Sequence, residues 1–458
     1  MMRLIVILAL LTLHAAVAAA IDVPQSDMSA YNCDFSPSCE VAPGVYGKLN
    51  VPVTSKFNLS IGGFVKLDYA YNSVNLGQSG SATPASGAIP KSDSTAGKQN
   101  QSIFTARQSL IWLKVKGPAF LGAKTNALIE VDFYGDPATM AESPQVRMRH
   151  AWGSLDWKNT SLLFGQTWDI FGPMGANTID FRQAAPFGAP KGVRVPQIRI
   201  SHKLDLNTNN SLLFVLGAQN PTQTGNNLAT TTAYSNNVGN MVNVAGQVMW
   251  KSNALGVSPG FYGFSMNSLT TGFFGLYGSQ KVLISGFGDK SIDSWGYGFY
   301  SFVPILRSKD GRSRAMTMSF EGQAYMASNM AFNAATAANF VGLNTNPVAA
   351  KGYGLAAQII FYPTQDLGIS TGYLRRNAYN YSDYRANADG TTNNFQKYNQ
   401  YAFVNIAYDL NAAIRIAAEY EHINTHYGNA ISVGTSTMNG YADSGSANIA
   451  RLAAYYFF

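Results

Sequence analysis

The chain is 458 residues long, with 12% charged residues, 12% aromatics, 43 glycines and a formal net charge of +7. A water-soluble globular domain carries about 25% charged residues, and a modest basic excess with no lysine or arginine run excludes a nucleic-acid binder. No stretch of about 18 apolar residues follows residue 20, which excludes a spanning helix there, and no phosphate loop, zinc motif or Ser-His-Asp arrangement points to an enzyme or a cofactor.

The first element is an address. Arg3 precedes an apolar core from Leu4 to Leu13, and Ala18-Ala19-Ala20 supply small residues for cleavage, the order of a secretory signal peptide over residues 1–20. The core is shorter than the roughly 20 residues of a spanning anchor. Without Arg3 the net charge falls from +7 to +6. Residues 21–56 are expected to form a periplasmic N-terminal segment with no heptad pattern. Cys33 and Cys39 lie within it, and an even pair in an oxidising compartment predicts one local disulfide. Two thiols without a nearby histidine are too few ligands for a metal.

From residue 57 the pattern has period two. Phe57, Leu59, Ile61, Val65, Leu67, Tyr69 and Tyr71 share one parity; Asn58, Ser60, Lys66, Asp68 and Asn72 share the other; Phe64 breaks it. One face is dry and the other wet. The segment 57–72 is followed by like segments at 103–116, 124–134, 146–157, 161–170, 194–203, 211–219, 241–251, 261–281, 294–305, 314–327, 352–362, 367–376, 395–408, 413–426 and 446–458.

Their connections alternate in length. Long polar stretches such as 73–102, 171–193, 328–351 and 427–445 alternate with short turns such as Lys158-Asn159-Thr160, Ser308-Lys309-Asp310-Gly311 and the stretch 252–260. A soluble sandwich has no reason to gather its long loops at one end, whereas a membrane barrel has short periplasmic turns and long external loops. In lipid every backbone N–H and C=O must be paired, so such a sheet must close on itself. The predicted fold is all-β: a transmembrane antiparallel up-and-down β-barrel of about sixteen strands over 57–458, with both ends periplasmic. The finish Tyr455-Tyr456-Phe457-Phe458 resembles the assembly signal of bacterial outer-membrane proteins.

Several short motifs resemble the DcaP-like family of outer-membrane porins. They are Thr105-Ala106-Arg107-Gln108-Ser109, Leu128-Ile129-Glu130-Val131-Asp132-Phe133-Tyr134-Gly135, and Arg147-Met148-Arg149-His150-Ala151-Trp152-Gly153. Leu163-Phe164-Gly165-Gln166-Thr167-Trp168-Asp169-Ile170-Phe171 and Pro304-Ile305-Leu306-Arg307-Ser308-Lys309-Asp310-Gly311 continue the series. The resemblance runs in pieces over most of the barrel and implies a sixteen-stranded homotrimeric channel for small anions such as dicarboxylates. Family members with an N-terminal coiled coil exist; this chain lacks the heptads.

A channel selects by width and by the charges at its narrowest part. The third external loop, 171–193, resembles the inward-folding loop of general porins; it carries Asp180, Arg182 and Lys191, with Asp169 and Arg194 at its edges. Strand parity sets Arg147 and Arg149 on one face with Ala151 and Gly153, groups Arg199 with Ser201 and Lys203, opposes Arg415, Glu419 and Glu421 to Ile414, Ile416 and Tyr420, and opposes Arg451 to Leu452. A lipid-facing charge near mid-membrane costs roughly 2–4 kcal/mol, so these charges are expected in the lumen. Arginine suits carboxylates because its planar fork donates two bonds at once. Lumen charge also keeps any porin wall wet, and the sequence leaves both roles open. His422 and His426 would share a strand face about 13 Å apart, too far to chelate one metal. The expected partners are outer-membrane lipid and lipopolysaccharide outside, small anionic solutes inside, and further copies of the chain. The competing readings are an outer-membrane enzyme and a structural or adhesin-type barrel plugged by residues 21–56; conductance separates a channel from both.

Overall fold

The period-two segments become the staves of one closed barrel. The computed structural model describes residues 57–76, 89–135, 145–180, 194–221, 231–232, 239–284, 288–330, 340–341, 348–349, 351–378, 396–427 and 442–458. Residues 1–20 and 21–56, with Cys33 and Cys39, lie outside them, as do Arg182 and Lys191.

The barrel strands are β1 (Asn58–Asn72), β2 (Gln101–Thr105 continued by Leu110–Phe120), β3 (Ala123–Asp132), β4 (Arg147–Asp156), β5 (Thr160–Trp168), β6 (Arg194–Asp205), β7 (Asn210–Gln219) and β8 (Gly239–Pro259). They continue with β9 (Met266–Ile284), β10 (Gly288–Leu306), β11 (Thr317–Ser328), β12 (Lys351–Tyr362), β13 (Leu367–Ala378), β14 (Gln396–Asp409), β15 (Ile414–Tyr427) and β16 (Ser444–Phe457). Each pairs antiparallel with the next. The ring closes where β16 meets β1, in a register running from Phe64 against Phe457 to Asn72 against Ile449. The result is a sixteen-stranded up-and-down barrel.

Its surface is inside out relative to a soluble protein. Leu59, Ile61, Val65, Phe164, Leu216, Phe273, Tyr297, Leu452 and Tyr456 lie on the outer face and are exposed, whereas the alternate positions Lys66, Asp68, Arg415, Glu419, Glu421 and Arg451 are buried inside. Phe64, the exception in the sequence, sits edge-on to Tyr455 and Phe457, at ring distances of 5.7 and 5.8 Å, at the end where the chain closes.

Three elements differ from the sequence expectation. The stretch 252–260 is not a short turn: β8 continues to Pro259 past an irregularity between Ser252 and Val257, and the chain reverses only at Gly260–Ser265. The segment expected at 261–281 accordingly starts later, at Met266, because Phe261–Gly263 form a 3-10 turn. The connection after β9 is short, only residues 285–287, because β9 and β10 run on beyond their neighbours and Thr231–Thr232 pair with Leu283 and Ile284. The opposite end has tight turns. Leu121 and Gly122 both have positive φ, 48° and 73°, as a two-residue type I′ hairpin requires.

Candidate functional site

The loop after β5 enters the barrel as soon as it leaves the wall. The Asp169 carboxylate accepts the Phe171 N–H at 2.8 Å and the Gln219 amide at 2.7 Å, and burial pushes its carboxyl up to about 6. Phe171 then packs edge-on against Phe274 and Tyr325, at 5.0 and 5.7 Å. The facing position on β10 is Gly296, where a Cβ would come within 2.6 Å of the Phe171 ring, so the wall is hollowed to take it. From Asp169 to Asp180 every loop residue except Pro173 is buried.

Inward-facing amides conduct this loop along the wall. Met174 N–H is accepted by Gln323 of β11 at 3.2 Å, and Asn177 N–H by Gln358 of β12 at 2.7 Å. Gln358 also donates to the Gly175 carbonyl at 3.1 Å, the Asn177 side chain to Ser370 of β13 at 2.6 Å, and Asn405 of β14 to the Asn177 carbonyl at 2.6 Å. A buried backbone without such partners would carry the full desolvation cost of each orphan group.

The path ends on a buried network of charges. Glu419 of β15 accepts the N–H groups of Ile179 and Asp180 at 2.7 and 3.0 Å. Arg451 of β16 lies 3.2 Å from Asp180, 3.2 Å from Glu421 and 3.8 Å from Glu419. Lys66 of β1 donates to the Ile179 carbonyl at 2.8 Å and pairs with Asp68 at 2.7 Å. Asp68, Asp180, Glu419 and Glu421 thus face Lys66 and Arg451, none of the six more than 4% exposed. Arg415, expected among the lumen charges, lies near the turn end of β15, clamped on Asp409 at 2.5 and 3.0 Å, and Asp409 also holds Arg314 at 3.0 Å.

The opposite wall, β2 to β8, is basic and wetter. Arg147 pairs with Asp132 at 2.6 Å, and Arg149 with Glu130 and Asp132 at 2.6 and 3.0 Å. The register slips by one residue there: Met148 opposes Val131 and His150 opposes Glu130, leaving Arg149 as a bulge. The bulge corrects the parity read from the sequence. Beyond Arg149 the inward positions are His150, Trp152, Ser154 and Asp156, not Ala151 and Gly153, because one inserted residue turns the rest of the strand over. Arg149 and Arg194 lie over the Trp168 ring at 5.9 and 4.9 Å.

Arg199 shares its inward row with Leu163 and Gly217. A Cβ on Gly217 would meet Ile170 of the loop at 2.5 Å and the Arg199 Cβ at 2.9 Å, so Arg199 stands at the level where the loop begins. Towards the turn end, Lys114, Lys116, Lys124 and Lys203 are exposed on the inward rows, Lys203 paired with Asp205 at 2.6 Å, with Lys251 half-buried in the same direction. Asp156 on this wall is tied to Asn126 and Ser154 at 2.7 Å each. The sequence reading passed over the lysine rows of β2, β3 and β8 and the guiding amides Gln323, Gln358 and Asn405. Strand parity carried the signal for the lysines; the amides look like any wet-face residue. Among the described residues no group of three or more His, Cys, Asp or Glu has the geometry of a metal site.

Comparison with solved structures finds the same barrel in outer-membrane channels. The chain is similar to the outer-membrane channel DcaP of Acinetobacter baumannii, with a TM-score of 0.64 and 17% identity over 88% of this chain and 97% of that one. It is also similar to OprB of Pseudomonas putida, with a TM-score of 0.51, 10% identity and coverage of 88% and 94%. An anion-selective porin from Comamonas acidovorans matches with a TM-score of 0.50, 11% identity and coverage of 88% and 100%. At these identities the likeness is one of fold. No family model matches the sequence, and no curated protein does.

Proposed function

We propose that the chain is a porin of the bacterial outer membrane, a water-filled channel for passive diffusion of small hydrophilic solutes with a preference for small anions of the dicarboxylate kind. The observation that carries this reading is the asymmetry of the lumen. The loop from β5 lies along the β8–β16 side and covers its carboxylates, whereas the β2–β8 side offers Arg199, Lys114, Lys116 and Lys124, with Lys203 paired to Asp205. An ion passing along the open side meets mostly positive charge, while the ion pairs of Arg147 and Arg149 temper the field. Transport needs binding favourable enough to enter and weak enough to leave. In a planar bilayer under a potassium chloride gradient, the wild-type reversal potential should lie on the chloride side. A reversal potential on the potassium side would sink the anion preference, and a silent bilayer would sink the channel in favour of a plugged barrel.

The same reading puts lipid and lipopolysaccharide around the barrel and two further copies beside it. A shallow apolar groove on the outer face, lined by Leu67, Phe104, Ile406, Ile416, Leu452 and Ala454, supports such packing. It also sets the long loops outside and the short turns in the periplasm. Epitope tags near residue 85 or 435 should be labelled on intact cells and a tag at Asn159 should not; labelling at Asn159 would reverse the topology.

A further inference from the structure

The reversal between β8 and β9 reaches deep into the barrel. It is closed by the Gly260 N–H on the Ser265 carbonyl at 2.8 Å, and it turns Tyr262 inward at φ 53°, a conformation that L side chains rarely adopt. Such an outlier points to a purpose when the surroundings enforce it. Here they do. The Tyr262 N–H donates to Asn177 Oδ1 at 2.8 Å, and its hydroxyl donates to the Thr178 carbonyl. Arg415 donates to the Tyr262 carbonyl at 3.3 Å while clamped on Asp409. A turn from one end of the barrel therefore bonds two consecutive residues of a loop that comes from the other end. A cavity of about 20 Å³ remains between them, lined by Asn177, Ile179, Tyr262, Tyr362, Asn405 and Tyr455, room for about one water.

We propose that this turn is a strut: Tyr262 is a positioning residue that holds the β5–β6 loop against β12–β16, so that Asp68, Asp180, Glu419 and Glu421 stay out of the conducting path. The proposal rests on the anion-preferring channel argued above and adds how the preference is kept. The loop lies over this cluster: Glu419 holds its backbone at Ile179 and Asp180, and Lys66 and Arg451 pair with Asp68, Asp180 and Glu421 beneath it. A loop that lifts from this wall admits water to these carboxyl groups, which favours their charged form, and opens a second crevice lined by them.

The test compares Tyr262→Gly with wild type in planar bilayers, after an electrophoretic heat-modifiability assay has established that the barrel is folded. Glycine accepts the positive φ without strain, so the backbone is eased while the hydroxyl and the ring are lost. The expected result is a noisier open level and an anion-over-cation permeability ratio lowered by about twofold or more, since uncovered charge acts strongly in a confined path. Tyr262→Phe keeps the amide bond to Asn177 and the ring, and should stay nearer to wild type. Adding Glu421→Gln to Tyr262→Gly should return part of the anion preference without quieting the noise, an effect that mere loosening of the fold does not produce. If Tyr262→Gly does not assemble, Asn177→Ala is read by the same criteria. An anion-preferring wild type beside a folded Tyr262→Gly channel with the same noise and reversal potential overturns the strut alone. A wild type without anion preference overturns the functional reading beneath it.

Discussion

Arg199→Glu is expected to remove most of the preference for anions, lowering the anion-over-cation permeability ratio about fivefold. Arg199 lies on the inward row of β6 beside the first residues of the inserted loop, and no partner for it occurs among the described residues. An ion passing about 8 Å away in a water-like dielectric feels roughly 0.5 kcal/mol per unit charge. Salt at physiological strength about halves that. Changing +1 to −1 acts on anion and cation in opposite senses, giving about 1 kcal/mol in the ratio, or about fivefold. Because Arg199 supports no other group, the barrel should assemble normally. Lys158→Glu, on an exposed turn, makes the same change of charge away from the passage and should move the reversal potential far less. Equal shifts from the two variants would mean that net charge alone sets the preference, and an unchanged Arg199→Glu channel would remove Arg199 from the path.

The paired substitution Arg147→Gln with Arg149→Gln should have the largest effect on assembly. Asp132 is fully buried and holds both guanidinium groups, and Glu130 holds the second of them. Breaking a buried ion pair costs about 3–5 kcal/mol because the partner charge is left stranded. The double variant should therefore yield less folded barrel and unfold at lower temperature in a heat-modifiability assay. Any channels that form carry two uncompensated carboxylates and should lose anion preference. Adding Asp132→Asn and Glu130→Gln makes the cluster neutral again. If the two arginines serve chiefly to clamp β3 to β4, this quadruple variant recovers both stability and selectivity. If they draw anions themselves, it recovers stability alone. A double variant as stable as wild type would refute the clamp.

The strands were legible because each separates lipid from water, and that contrast writes itself into the chain with period two. It reads well along β1 and β16, where Lys66, Asp68, Arg451 and Tyr455 alternate with Val65, Leu67, Leu452 and Tyr456. It reads poorly where the backbone departs from a plain ladder. The bulge at Arg149 leaves no mark in composition, because either parity offers a mixed row of small and aromatic residues. The end of β8 was missed because Asn253, Gly256, Ser258 and Pro259 are weak strand formers held in place by neighbours, including Ser258 bonded to the Leu306 carbonyl. The inward course of the β5–β6 loop came from family resemblance. Its supports, Gln323, Gln358, Asn405 and Tyr262, become visible only once the wall brings distant strands to one height.

The seam between β16 and β1 also sets an order of events in time. Its contacts lie 375 residues apart in the chain at Ser73 and Asn448 and further still where Phe64 meets Phe457, and the loop meets its anchor Glu419 across 240. Contacts this remote come late, since the entropy of closing so long a chain is lost before any bond forms in return. The loop leaves the wall at β5, yet its far support is synthesised with β15. Asp180 is held by Arg451 of β16, the strand that closes the ring, so the loop is fully seated only once the circumference is complete.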